Sequence, residues 1–445
     1  MKNRKQHRDD YRARTHLIHG SFVTGKWDYA HHVNPPMTAS ASFRLSSLRR
    51  GLEGFAHFAE EAGENHPIYI YDRLDEPTRG MLEENLAYAE GGEVAVCYAS
   101  GMAAISGVLS VLAERDTEIL AHETVYGCTY SLMTNWLPRF GVNTTFTDLI
   151  EPANVARHVK PSTRVVYFET PVNPTMDLID IAAVRREVDK INAGRPEVQR
   201  LKVVVDNTFA TPYCQRPIGH GADFSVSSLT KDIGGFGTHV GGVVVGPRSY
   251  YYRLMLFRKD FGGVLSPQTA WGILVYGLPT LAARVVNQQK SAHRVAEFLK
   301  SHPQIESVRY PGLDSFPQKE LAHRQMVSYD GAFAPGSMIY FTVKANGDPL
   351  RTAERFADYL AEKSYCITLA VSLGNIKTLV EHPYSMTHSA MSHEERMRRG
   401  VRPTGIRLSL GLEDYHDIIT DLKQALAACA AQPAGERVLA EVPPR

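Results

Sequence analysis

Cysteine is scarce in this sequence of 445 residues: five are scattered (Cys97, Cys128, Cys214, Cys366, Cys429) and no two form a CxxC pair. That argues against a disulfide framework and against a structural zinc site. A surplus of one charge is missing too. Lys plus Arg at 49 against Asp plus Glu at 48 leaves a formal charge of +1. Neither a basic nucleic-acid surface nor a polybasic membrane anchor is expected from such a balance. No apolar run approaches the roughly 18 residues needed to cross a bilayer. The opening MKNRKQHRDDYRART is charged with no apolar stretch behind it, so it does not read as a secretory signal. The 18 histidines include no HExxH or similar spacing, and no metal is assigned. A reducing cytoplasm fits these absences.

What is there is a globular composition. Hydrophobic residues make up 43% and charged residues 22%, which suffices for a sizeable core and excludes disorder for the bulk of the chain. At roughly 150 residues per domain, two or three domains are expected. Residues 1–70 lack sustained periodicity and contain Pro35-Pro36 and the basic run RLSSLRRG, so they read as an arm without a core of its own. PTRGMLEENLAYAEGG reads as a helix with Pro77 in its first turn and Gly91-Gly92 stopping it. Short, nearly continuous apolar runs then alternate with helical stretches: VAVCY, EILAHE, RVVYFET, LKVVVDNTF, DFSVSSLTK and GGVVVG. This is the pattern of an α/β fold around a buried, mostly parallel sheet over residues 71–274. The helical RVVNQQKSAHRVAEFLKSH, the alternating strands SMIYFTVKA and IRLSLGL, and the helix DYHDIITDLKQALAA point to a smaller α+β domain over residues 275–445, with a loosely held tail from Ala430.

The strongest local signal is VVVDNTFATPYCQRPIGHGADFSVSSLTK. One strand delivers Asp206 at its carboxyl end, and a second delivers Ser228, Thr230 and Lys231. Ligands of open α/β sheets sit at such strand ends. A lysine that can hold an aldehyde, an aspartate that can keep a pyridine nitrogen protonated, and two hydroxyls for phosphate oxygens suit pyridoxal 5′-phosphate. The alternative is an aspartate capping a loop and a solvated surface lysine. Ser100-Gly101-Met102, between a strand and a helix, forms either an anion site of backbone N–H groups or an ordinary turn. GGFGTHVGG (234–242) lacks the GK[ST] ending of a P-loop and reads as a tight connection after the lysine. The run Tyr250, Tyr251 and Tyr252 reads as packing.

In combination, the blocks YDRLDEPTRGMLE, YASGMAAI, VYGCTYSL, YFETPVNPTMDLIDI, VVVDNTF, SSLTK, VSLGN, EHPYSMTHS and TGIRLSLGLED resemble the PLP-dependent Cys/Met metabolism family over nearly the whole chain. The YGCT block with Cys128 looks most like the methionine γ-lyase branch. The resemblance implies a type I, aspartate-aminotransferase-like fold with a seven-stranded central sheet, assembled as a homotetramer of two catalytic dimers. It implies Lys231 as the lysine holding the cofactor and shuttling protons, Asp206 on the ring nitrogen, Asn173 on the ring oxygen, and Tyr126 stacked on the ring as acid or base, its ionisation helped by cations such as Arg73. It also implies phosphate contacts from Ser100, Gly101, Met102, Ser228 and Thr230, with Tyr71 and Arg73 reaching the neighbouring subunit's cofactor. Arg407, helped by Ser372, would clamp the substrate carboxylate with a bidentate fork, and Cys128 would border the substrate. The implied activity is γ-elimination from methionine, homocysteine, cystathionine or a similar amino acid. Its alternative is γ-replacement, as in the sulfhydrylases and cystathionine γ-synthases of the family.

Three departures from the family pattern bear on the substrate. Glu76 stands where asparagine is usual, Thr238 stands where an aspartate is usual, and the arm before Tyr71 is longer. Glu76 either pairs with Arg73 or Arg79, or receives a guanidinium-bearing leaving group such as that of canavanine.

Overall fold

Val165, Val166, Tyr167 and Phe168 are all fully buried, yet Val165 and Tyr167 enter one hydrophobic cluster and Val166 and Phe168 another. Successive side chains of a strand point to opposite faces, so a strand apolar at every position must be covered on both sides. The computed structural model of the chain, which describes residues 11–20, 33–60, 67–389 and 391–431, meets that demand with helices on either face of a central sheet.

Among the described residues the central sheet has seven strands: β1 (Val94–Tyr98), β2 (Glu118–His122), β3 (Asn143–Thr147), β4 (Thr163–Glu169), β5 (Lys202–Asp206), β6 (Phe224–Ser228) and β7 (Gly242–Gly246). Their spatial order is β1-β7-β6-β5-β4-β2-β3. From β6 to β3 every neighbouring pair is parallel, whereas β7 runs antiparallel to both β6 and β1. A second sheet of five strands, β8 (Ile305–Arg309), β9 (Met338–Val343), β10 (Ile367–Leu369), β11 (Thr378–Glu381) and β12 (Gly405–Ser409), has the order β10-β11-β12-β9-β8. It shares a hydrophobic cluster with the helices Pro349–Lys363 and Tyr415–Ala431 and with the later turns of the helix Leu278–Ser301.

Several sequence expectations need correction. The helical run Pro267–Ser301 is 35 residues long and holds an 18-residue stretch of mean hydropathy 1.3, so one segment is long and apolar enough to cross a bilayer. Because 56% of that stretch is buried within the protein, it serves as a core helix. The arm also contributes to the core: Leu17, on the helix Ala13–His19, is 2% exposed and packs in the cluster that holds Leu281 and Val285. RLSSLRRG contains a helix start, with the Ser47 hydroxyl accepting from the Arg50 N–H ahead of the helix Leu48–Ala56. Strand β6 ends at Ser228, so Thr230 and Lys231 stand in the turn beyond it and not on its face. The tail after Ala431 lies outside the described residues.

Candidate active site

Strands β4, β5 and β6 end on Glu169, Asp206 and Ser228, with Glu169 directly beside Asp206 in register. A cavity of about 270 Å³ opens at these ends. Its floor and walls include Ser100, Gly101 and Met102 from the start of the helix Gly101–Leu112, and Asn173 from the loop after β4. Ser228, Thr230 and Lys231 line it from the end of β6 and the turn beyond, and Tyr126, Ser372 and Arg407 also line it. One cavity therefore holds Asp206 and every one of these sequence-selected residues.

Glycine permits the close approach of the helix. A Cβ on Gly101 would lie 3.0 Å from the Ser228 Cβ, and one on Gly242 would lie 2.7 Å from the Gly101 Cα. The first N–H groups of a helix have no partner within it, so the helix start pressed against β6 offers an anion cradle. Ser100 caps the helix, accepting from the Ala103 N–H at 3.1 Å. Thr230 holds the turn instead of the cavity wall alone: its hydroxyl accepts from the Gly241 N–H at 3.1 Å. Lys231 Nζ donates to Ser372 Oγ at 2.7 Å. Burial, with Arg407 nearby, holds the Lys231 amine below the usual lysine range. Ser372 adopts a left-handed backbone (φ 93°), and its carbonyl accepts from Arg407 Nη2 at 2.9 Å.

Arg407 is more engaged than a free fork. Nη1 donates to Asn173 Oδ1 at 3.0 Å, while Nη2 serves both the Ser372 carbonyl and the carboxylate of Glu381. A substrate carboxylate must therefore compete for these donors. The Asp206 carboxyl accepts from the Thr208 N–H at 2.9 Å, and no cation pairs with it among the described residues. Burial pushes its pKa up.

Four sequence-selected residues fall outside the cavity. Glu76 is fully buried, and its carboxylate accepts the backbone N–H groups of Thr78 (2.8 Å) and Arg79, so it caps the helix Pro77–Glu90. It is no receptor for a guanidinium. Burial nevertheless raises its pKa to about 7, against the lowering influence of Arg79. Cys128 lines an adjoining groove with Met102, Ser106 and Trp136, its thiol beside the Tyr126 phenol, and is not itself among the residues of the cavity wall. Arg73 donates to the Lys259 carbonyl and lies 5.6 Å from the Tyr71 ring; neither lines this chain's own cavity. Arg73 is therefore not the cation that eases Tyr126 ionisation within one chain. Burial and the neighbouring Cys128 thiol push the Tyr126 phenol up to about 12. Sequence reasoning missed Glu169 and Glu381, although both stood inside quoted blocks, YFETPVNP and EHPYSMTHS. Glu169, whose carboxylate accepts the Tyr126 N–H at 2.6 Å, also lines the cavity.

The residues fit pyridoxal 5′-phosphate. Asp206 lacks the cation that a protonated ring nitrogen would supply, the helix start suits a phosphate, and Lys231 offers an amine with a depressed pKa. Fold and cavity together define a PLP-dependent enzyme of fold type I. A family model described as Cys/Met metabolism PLP-dependent enzyme matches residues 14–427. The chain is 41% identical over 414 residues to an L-methionine gamma-lyase of Treponema denticola, covering 92% of this chain and 95% of that one. It is 38% identical to an L-methionine gamma-lyase of Pseudomonas putida, covering 91% and 94%. The solved structure of a cystathionine gamma-lyase from Lactobacillus plantarum, in complex with L-serine, superposes with a TM-score of 0.81 at 31% identity, over 95% of this chain and 100% of that one. A cystathionine gamma synthase from Xanthomonas oryzae gives 0.81 at 30%, over 94% and 98%. This chain belongs to the Cys/Met metabolism PLP-dependent enzymes.

Proposed function

We propose that the protein is a γ-lyase that removes the γ-substituent of an L-amino acid, with methionine as its leading substrate. The observation that carries this reading is the alignment with methionine γ-lyases along nine-tenths of both chains, joined to an intact set of acid-base groups around one cavity. Phe209, Val371 and Leu373 add apolar wall to that cavity, which favours an uncharged tail such as a thioether.

When bound, the cofactor supplies an aldehyde for the substrate amine and an electron sink for the carbanion that forms. Asp206 would hold its ring nitrogen, Asn173 its ring oxygen, and the N-terminus of the helix Gly101–Leu112 with Ser228 its phosphate. Arg407 orients the substrate carboxylate. Lys231 Nζ, steered by Ser372 Oγ and kept neutral more readily by burial, would remove the Cα proton, hand it on, and, neutral again, remove the Cβ proton. Burial keeps the Tyr126 phenol protonated at neutral pH, so it would serve as the acid that protonates the departing thiolate sulfur.

Tyr71 and Arg73 would complete the cavity of a neighbouring subunit, in a homotetramer of two catalytic dimers working in the cytoplasm. The second reading, γ-replacement, uses the same residues and draws support from the γ-synthase that superposes as well as the γ-lyase does. Incubation with methionine, homocysteine and O-acylhomoserines, with and without added thiol, separates the two by mass spectrometry of products. Release of 2-oxobutanoate and a thiol from methionine is expected. Turnover only of the acylhomoserines, with the thiol incorporated, would overturn the lyase reading.

A further inference from the structure

We infer that Glu169 is a positioning residue for Tyr126 and that it acts as a neutral carboxylic acid. This rests on the reading of Tyr126 as the proton donor to the leaving group.

The geometry starts with register. Parallel strands β4 and β5 place Glu169 opposite Asp206 at adjacent strand ends, and both face the same cavity. Glu169 is 6% exposed. Among the described residues no cation pairs with either acid. Two carboxyl groups side by side in a desolvated site cannot both be charged without such a partner, so the pair retains a proton. Asp206 is the member with help in keeping its charge: the Thr208 N–H donates to it, and the cofactor's ring nitrogen would be its cation. Glu169 has neither. The groups around it are Asp206 and the Tyr167 phenol, which add no positive charge, and the Tyr126 N–H. Burial first and Asp206 second push its pKa far up.

A neutral carboxyl still has a carbonyl oxygen, and that oxygen is what the Tyr126 N–H needs. Tyr126 precedes a five-residue helix, Gly127–Ser131. On the other side of this turn the Thr387 carbonyl closes in, since a Cβ on Gly127 would lie 2.6 Å from it. The turn is thus held at the Tyr126 N–H by Glu169 and closely approached at Gly127 by Thr387. The Tyr126 ring, 38% exposed, depends on that grip for direction.

The test uses Glu169→Gln and Glu169→Ala holoenzymes. Glutamine offers the same carbonyl without a charge, so kcat close to wild type is expected, together with loss of a protonated-carboxyl stretch from the infrared spectrum. Alanine releases the turn; a misplacement of about 1 Å costs roughly a hundredfold in rate, so kcat should fall about tenfold to a hundredfold with cofactor absorbance retained. Glutamine as damaging as alanine, or no infrared band that disappears with it, would overturn the neutral acid. An unimpaired alanine variant would overturn the positioning role. The underlying reading fails separately if Tyr126→Phe turns over at the wild-type rate.

Discussion

Arg407 and Glu381 are cross-strand partners on β12 and β11, exposed by 3% and 1%, and they form a buried ion pair. Glu381→Gln strands the arginine's charge. Removing one partner of a buried pair typically costs about 3–5 kcal/mol, because the remaining charge is left without compensation. Here the lower end, about 3 kcal/mol, is expected: an amide oxygen still accepts from Nη2, and Asn173 Oδ1 at 3.0 Å and the Ser372 carbonyl at 2.9 Å remain. The other carboxylate oxygen of Glu381 has no hydrogen-bond partner, so the amide nitrogen finds none there either. The assay is denaturant unfolding of wild type and variant, with and without an unreactive amino acid. If Arg407 receives the substrate carboxylate, that anion repairs the stranded charge. The amino acid should therefore stabilise the variant more than the wild type; binding at a hundred times Kd contributes about 2.7 kcal/mol. A variant within about 1 kcal/mol of wild type would show that solvent or a rearranged neighbour compensates Arg407. Equal ligand stabilisation of both proteins would refute the carboxylate role.

Lys231→Ala should abolish turnover and the visible absorbance of the bound cofactor together, as read by spectrophotometry; turnover without Lys231 would sink its assignment. Tyr126→Phe should lower kcat on methionine by about 10²–10⁴-fold, the usual contribution of a positioned acid, and the loss should shrink when the leaving group needs no proton. Gly242→Ala brings a Cβ to 2.6 Å from the Ser100 carbonyl carbon; overpacking of this kind costs about 1–3 kcal/mol, and cofactor affinity, measured by equilibrium dialysis, should fall because the helix start is pushed off β6. Glu76 has a folded-state pKa raised from 4.5 to about 7, so its favourable contribution is complete below 4.5 and is lost as pH rises through 7. Glu76→Gln should accordingly gain stability on wild type across that window, and a pH-independent difference would count against the shift.

The central sheet could be read from the sequence because its strands are short, apolar at every position and bounded by turns, a pattern that a parallel sheet covered on both faces imposes. Strand β3, NTTFT, escaped notice for the opposite reason: it is the edge strand, three threonines and an asparagine among its five residues, and it is mostly not buried. Thr230 was misplaced because an alternation of hydroxyls looks the same whether a strand continues or turns. Hydrogen bonding to Gly241 decides it, and that contact spans eleven positions.

The candidate site residues were legible where they end a strand or open a helix, as Asp206, Ser228, Gly101 and Tyr126 do, or closely follow a strand end, as Lys231 does, whereas Arg407, in the middle of β12, was read only through the family resemblance. The residues that support them were not. Glu169 and Glu381 act only through partners 43 and 26 positions away, Tyr126 and Arg407, and an isolated glutamate in an apolar strand carries no sign of what it will face. Glu76 misled in the other direction. As a residue beside Tyr71 and Arg73 it looked like part of the pocket, but a carboxylate followed by proline at the start of a helix is also a cap. With Glu76 capping a helix and apolar walls at Phe209, Val371 and Leu373, the proposed reading leaves Arg407 as the charge that would meet a substrate, at the carboxylate end common to every amino acid. On that reading, choice among γ-substituents would fall to the shape of the cavity.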